Sequence, residues 1–450
     1  MLEKIFKLKE AGTTVKTEII AGIVTFMTLS YIIFVQPAIL SNPNGPAMDF
    51  GSVMVATCIA SAIATFLMGL LANYPIALAP AMGHNFFFAF TVCGSAAIGG
   101  MGYPWQVALG ANFIAGAIFI LISRWGLREL ILTAIPDSLK HAIAVGIGLL
   151  IAFLGFEWGG LVIPSPGTFV TLGNLKTPEV ILTIFGIILI ASLMSLKISG
   201  ALLWGIIATA VLGMPMGIVK YQGIISAPPS IKPTFLKLDI LGVFTQPGFI
   251  TVIFVLFLLA IFDTVGTLVG VCERAGLMKN GKLPNAQKAL FSDAVGTTTG
   301  TLFGTSTITC YIESAAGVSE GGRTGLANMV TGFLMLISLF FYPLVKMIGG
   351  GYQTAKGNIL YPVIAPALII VGSMMIQSVK KINWDDPTES IPSFLTLTIM
   401  QYAFSITEGI SFGFISYSFL KLISGRAKEV HWIVYVFSVL FLVRYIFLTR

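Results

Sequence analysis

Residues 304–317 read Gly304-Thr305-Ser306-Thr307-Ile308-Thr309-Cys310-Tyr311-Ile312-Glu313-Ser314-Ala315-Ala316-Gly317. Apolar stretches lie on both sides, and no Lys or Arg comes nearer than Arg323. A bare charge at the centre of a bilayer costs at least about 2.5–3.5 kcal/mol, so an acid there marks a substrate or proton path. The residues before it are unusual for a spanning helix. Thr305, Thr307, Ile308 and Thr309 are β-branched and favour extended backbone. The stretch therefore predicts a short non-helical piece at membrane depth that ends at a carboxylate.

Working outward, the chain of 450 residues is 56% hydrophobic and 10% charged, with mean hydropathy +0.93. Apolar runs long enough to span a bilayer recur throughout, and β-barrel alternation is absent. The class is an all-α polytopic membrane protein. Met1–Glu10 is too charged for the apolar core of a cleavable signal, so the first span is expected to direct insertion. The net charge of +7 bears on topology and implies no nucleic-acid partner. Cys58, Cys93, Cys272 and Cys310 are scattered within predicted spans and read as small packing residues, not metal ligands.

Spans are predicted at 18–41, 51–72, 83–99, 104–123, 139–157, 178–195, 199–218, 249–272, 285–303, 311–320, 324–346, 359–377, 392–404 and 407–423. A Pro-rich linker, 219–248, divides them into a first repeat (1–218) and a second (249–424). The third span of each half is short and broken, and the sixth spans open at Pro178 and Pro392. Seven spans per half is an odd number, so the second repeat must be inverted. With the amino end inside, 18 Lys and Arg fall in inner segments and 6 in outer ones, as the positive-inside rule requires. The extra hydrophobic segment in 425–450 fits a fifteenth span or an interfacial helix; Arg444 and its aromatic residues favour the interfacial reading.

Two further polar sites lie in the spans. Ala79-Pro80-Ala81-Met82-Gly83-His84-Asn85-Phe86 is the inverted counterpart of the Glu313 segment, with Pro80 and Gly83 breaking the helix. Paired broken helices in an inverted repeat point to a transport site, and their extended pieces can pair with each other where lipid offers no hydrogen bonds. The other site is Phe262-Asp263-Thr264-Val265-Gly266-Thr267, where Asp263 is mid-span and Thr267 shares its face. Asp263 and Glu313 together suit a ligand rich in N–H donors, with protonation of one or both coupled to transport. His84 reads equally as a proton relay or a hydrogen-bonded packing residue. Glu157 and Glu408 read as interfacial, Glu320 as an inner-surface residue, and Asp293 as a structural acid. Neither a nucleophile–base pair nor metal-ligand spacing is present, which argues against an enzyme, and no cofactor is expected.

The ordered set Gly304-Thr305-Ser306-Thr307, Tyr311-Ile312-Glu313-Ser314-Ala315-Ala316-Gly317, Gly321-Gly322-Arg323-Thr324-Gly325, with Phe262-Asp263-Thr264 and Ser292-Asp293-Ala294, resembles the nucleobase–cation symporter type 2 family in its AzgA-like purine permease branch. The resemblance implies short antiparallel strands before the third and tenth helices. It also implies a core domain (18–123 and 249–346) moving against a gate domain (139–218 and 359–424), often in homodimers formed through the gate. It implies import of hypoxanthine, guanine or adenine with protons across the cell membrane, the amino terminus being cytoplasmic; uracil or xanthine on the same fold is the alternative. By position, Asp263 and Glu313 would bond the purine and carry protons. Asn85, Thr267 and the backbone near Phe86 and Ile312 would complete the site. The chain departs from the branch at Ala81, at His84, which can modulate base preference, and at Ala260, where many members carry a second acid.

Overall fold

The computed structural model describes residues 2–96, 99–125, 136–278, 283–354 and 357–447. Arg128, Lys279, Lys282 and Lys356, used in the charge reading, lie outside the described residues. Among the described residues, seven helices are long and apolar enough to cross a membrane unaided, including Val15–Leu40, Phe50–Ala72 and Phe249–Arg274. The remaining spans are shorter or broken, and the whole forms two inverted repeats of seven.

The inversion is visible where the halves meet. Leu78–Pro80 pairs antiparallel with Ile308–Cys310, with Ala79 opposite Thr309. Each strand leads into a short helix, Met82–Phe86 (continuing as a wider-wound turn to Val92) and Ser314–Ser319. Side chains complete the strand edges: Thr297 Oγ1 donates to the Ile308 carbonyl (2.7 Å), Tyr311 OH to that of Pro80 (2.6 Å) and Asn328 Nδ2 to that of Ile76 (2.7 Å). Backbone that leaves the helix at this depth needs such partners, because lipid supplies none. Gly304 ends Ala286–Phe303 at φ +96°, a conformation that favours glycine, and turns the chain into the extended piece.

Around this crossing, Trp105–Trp125 packs on Ala286–Phe303 and Phe249–Arg274, and Val15–Leu29 packs on Gly325–Ile337. A Cβ at Gly317 would collide with Thr25 and the Ala21 carbonyl, so the half-helix Ser314–Ser319 approaches Val15–Leu29 closely. In the other helix group, Asp137–Trp158 packs on Ala365–Met375 and Pro387–Tyr402. The linker is largely non-helical and is stitched down by Ser226 N to Phe340 O (2.9 Å) and Leu236 N to Leu302 O (2.8 Å).

One expectation changes, and the C-terminal segment gains its partners. The thirteenth span begins at Pro387, not Pro392: Asp386 caps it through Thr388 N (2.9 Å), and Pro392 sits inside the helix. The C-terminal helix Trp432–Phe447 packs on the fourteenth span. It runs antiparallel along Ile406–Ile423, with Ser418 bonded to Ser438 (2.7 Å) and Phe412 against Tyr445. Glu408 opens that neighbouring helix, and Arg444 Nη2 (2.7 Å) and Tyr445 OH both bond its carboxylate.

Candidate functional site

The strand crossing brings the three predicted polar segments together. Asp263, midway along Phe249–Arg274, accepts a hydrogen bond from Thr309 Oγ1 (2.8 Å), which ties that helix to the second strand. Glu313 stands immediately before Ser314–Ser319 and accepts from Tyr31 OH (2.8 Å). Asn85 is fully buried on Met82–Phe86, and Ser306 donates to its Oδ1. Asn85 Nδ2 has no hydrogen-bond partner among the described residues. A site with acceptors at two acids and a spare donor at an amide can hold a flat polar ring by its edges.

The remaining predicted residues frame this group. Phe86 is buried and stacks on Phe90 (ring centroids 6.0 Å apart). Thr267 is buried one turn below Asp263 on the same helix. Ile312 is 44% exposed and approaches Gly270. His84 is buried, and its Nε2 has no partner among the described residues. No bond links His84 to a carboxylate among the described residues, and the structure does not join it to Asp263 or Glu313.

Sequence reasoning passed over several partners. Tyr31 and Gln36 lie in the first span, yet both reach the second repeat's broken segment. Gln36 Nε2 donates to Thr305 Oγ1 and Ser306 Oγ, each at 3.0 Å. Asn112 accepts from Thr307 Oγ1 (2.6 Å). Asp293 is fully buried and accepts from Thr264 Oγ1 (2.7 Å), one residue from Asp263, so it belongs beside the site as well as to helix packing. A lone Gln or Asn inside an apolar run was the available signal, since burying an amide requires a partner.

Comparison with known proteins gives this geometry its setting. Residues 16–412 match the family described as "Permease family" (Xan_ur_permease). The "Guanine/hypoxanthine permease PbuO" of Bacillus subtilis is 44% identical over 98% of this chain and 99% of its own length. The "Adenine permease AdeP" of Escherichia coli is 43% identical over 100% of this chain and 96% of its own. Among solved structures, the transmembrane domain of the cyanobacterial bicarbonate transporter BicA superposes with a TM-score of 0.60 at 15% identity, covering 88% of this chain and 97% of that one. At that identity the likeness speaks for the fold alone. With its family match over most of its length and near-full-length relatives of more than 40% identity, the chain belongs to the Permease family.

Proposed function

We propose that this protein is a secondary active transporter that imports purine nucleobases (hypoxanthine, guanine or adenine) by proton symport. The observation that carries the reading is the placement of Asp263 and Glu313. Both are acids at membrane depth, each is held by one hydroxyl, and both stand beside the crossed strands that join the repeats. Purines offer several N–H groups on a flat ring, and two carboxylates can accept them. An acid that changes protonation on loading would couple the ring to a proton. Relatives named for guanine, hypoxanthine and adenine support the purine class.

In this reading, residues 18–123 and 249–346 form a core that carries Asn85, Phe86, Asp263, Thr267, Ile312 and Glu313. The core slides against a gate of 139–218 and 359–424. The linker 219–248 joins the repeats, and within 425–450 the helix Trp432–Phe447 packs as an added element. The excess of Lys and Arg in the segments that share a side with the amino end supports a cytoplasmic amino terminus in the cell membrane. Homodimers would form through the gate. The test is uptake of radiolabelled hypoxanthine, guanine and adenine into proteoliposomes, with and without an inward proton gradient. Saturable uptake that collapses with an uncoupler is expected. Asp263→Asn and Glu313→Gln should abolish it while leaving the protein monodisperse. Full uptake in both variants would sink the site, and uptake indifferent to the gradient would sink proton coupling.

A further inference from the structure

Asn85 can present either its oxygen or its NH2 group to a ligand, and the surrounding bonds decide which. The determining chain starts at Gln36, a fully buried residue on Tyr31–Leu40. Its Nε2 has two hydrogens, and both are used, on Thr305 Oγ1 and Ser306 Oγ. The Ser306 oxygen is therefore an acceptor on that side, and its single hydrogen goes to Asn85 Oδ1. The Asn85 oxygen is thereby turned toward Ser306, while Nδ2 keeps both hydrogens without a partner among the described residues. A second amide is turned in the same sense: Thr307 Oγ1 donates to Asn112 Oδ1, and Asn112 Nδ2 is left spare.

We infer that Gln36 is a positioning residue which, acting through Ser306, holds the Asn85 NH2 group toward the ligand and so makes the site select 6-oxopurines over 6-aminopurines. The inference rests on the purine reading proposed above. A 6-oxopurine places a carbonyl acceptor next to an N1–H donor. A 6-aminopurine reverses both, with an amino donor next to a bare N1. Carboxylates at Asp263 and Glu313 accept N–H groups, and the Asn85 NH2 meets a carbonyl. The first pattern satisfies every group, whereas the second sets donor against donor. Sites that read a ring by buried hydrogen bonds discriminate strongly, because a mismatch leaves a polar group unpaired.

The test is competition in proteoliposomes holding the full-length chain: unlabelled hypoxanthine and adenine compete against a labelled purine, and the ratio of their half-inhibition concentrations is read. Hypoxanthine should win by about tenfold or more in the natural protein. In Gln36→Glu the carboxylate only accepts, both hydroxyls turn to it, and Ser306 then accepts from Asn85 Nδ2. The Asn85 oxygen faces the ligand, and the ratio should move about tenfold toward adenine. Ser306→Ala and Gln36→Leu cut the chain, free the Asn85 amide to turn, and should bring the ratio to within about threefold of unity. A Gln36 that only supports the fold would lower uptake of both bases alike and leave the ratio unmoved. If Gln36→Glu is aggregated in detergent, the other two variants decide. An adenine preference in the natural protein, or a ratio unchanged in the variants that fold, overturns the inference while leaving the purine reading intact. Absence of any purine uptake by the natural protein removes the reading itself, and the inference with it.

Discussion

Two buried acids, Glu18 and Glu313, sit at opposite ends of one argument about what a carboxylate does inside a membrane protein. Glu18 is 0% exposed and Glu313 is 7% exposed. Glu18 accepts from three backbone N–H groups, those of Arg323 (2.8 Å), Thr324 (3.3 Å) and Ala327 (3.2 Å). These are the unpaired donors at the start of Gly325–Ile337, which carry the positive end of that helix. Glu18 thus caps a helix of the other repeat, and its charge is fully employed. Glu313 has one side-chain donor, Tyr31. The difference teaches that burial alone does not mark a functional acid; spare accepting capacity does. The largest expected effects break the comparison directly. Glu18→Ala should strip the cap, cost on the order of 3 kcal/mol, and show as lost monodispersity and a lowered melting temperature. Glu313→Gln should leave the melting temperature within a few degrees of the natural protein's and abolish purine uptake. A folded, active Glu18→Ala protein would show that its cap is dispensable.

Tyr31 sharpens the same contrast. Its hydroxyl is the side-chain donor that orients Glu313, and its ring stands 6.4 Å from that of Tyr311. Tyr31→Phe keeps the ring and removes the bond. The expected result is a rise in the apparent KM for uptake of roughly three- to tenfold, from a lost interaction of about 1 kcal/mol, with unchanged thermal stability. A loss of stability without a change in KM would move Glu313 toward the structural role that Glu18 plays.

Much of this arrangement was legible in the sequence, for identifiable reasons. The β-branched run before Glu313, and Pro80 with Gly83 before Asn85, each forbid a continuous helix, so the strand crossing could be anticipated. Asp263 and Glu313 stood out because charge is rare in apolar runs. Tyr31, Gln36 and Asn112 did not, because an uncharged polar side chain in a span leaves no periodic mark and its partner lies in the other repeat. Glu18 was hidden at the edge of the first span, where a charge looks solvated. Pro392 misled because a proline early in an apolar run resembles a helix start, although Asp386 and Pro387 supply a better one. The final segment was ambiguous in kind: a sixteen-residue run that is apolar or aromatic except at Ser438 and Arg444 fits both a surface helix and a packed one.

The pair Arg444–Glu408 ties the final segment to its neighbour. The Nη2 to Oε1 distance is 2.7 Å, and both side chains are mostly withdrawn from solvent. The C-terminal helix also places Phe437 against Phe414 of the neighbouring helix and against Phe254 of Phe249–Arg274, the latter with centroids 3.8 Å apart. It therefore touches the two helix groups that the proposed mechanism sets in relative motion. Removing one partner of such a pair leaves the other charge uncompensated. Arg444→Ala should destabilise by about 1–3 kcal/mol, and adding Glu408→Gln should recover part of that loss. Measured by thermal unfolding in detergent, equal losses in the single and double variants would show that the pair does not act as a unit.

The smallest effect expected concerns a charge cluster outside the spans, where solvent screens what burial amplifies elsewhere. Arg426 bonds Asp386 (2.6 Å) and Glu429 (2.8 Å) and so joins the cap of Pro387–Tyr402 to the turn that leads into the C-terminal helix. The hydrogen bond from Arg426, with that from the Thr388 backbone, holds Asp386 down at about 2. Arg426 and then Lys421 hold Glu429 down at about 2 as well. Free Asp and Glu titrate near 4. A carboxylate depressed in the folded state contributes stability that is fully present above its unfolded value and disappears as pH falls through its folded value. The melting temperature should therefore be insensitive to this cluster's protonation above about pH 5 and should decline between about pH 4 and 2. Arg426→Gln should lower it slightly at neutral pH, flatten the acid limb, and converge on the natural protein at the acid end. High salt should mimic the variant, because exposed pairs of this kind are screened. An acid limb of the same steepness in Arg426→Gln would place the titrating groups elsewhere.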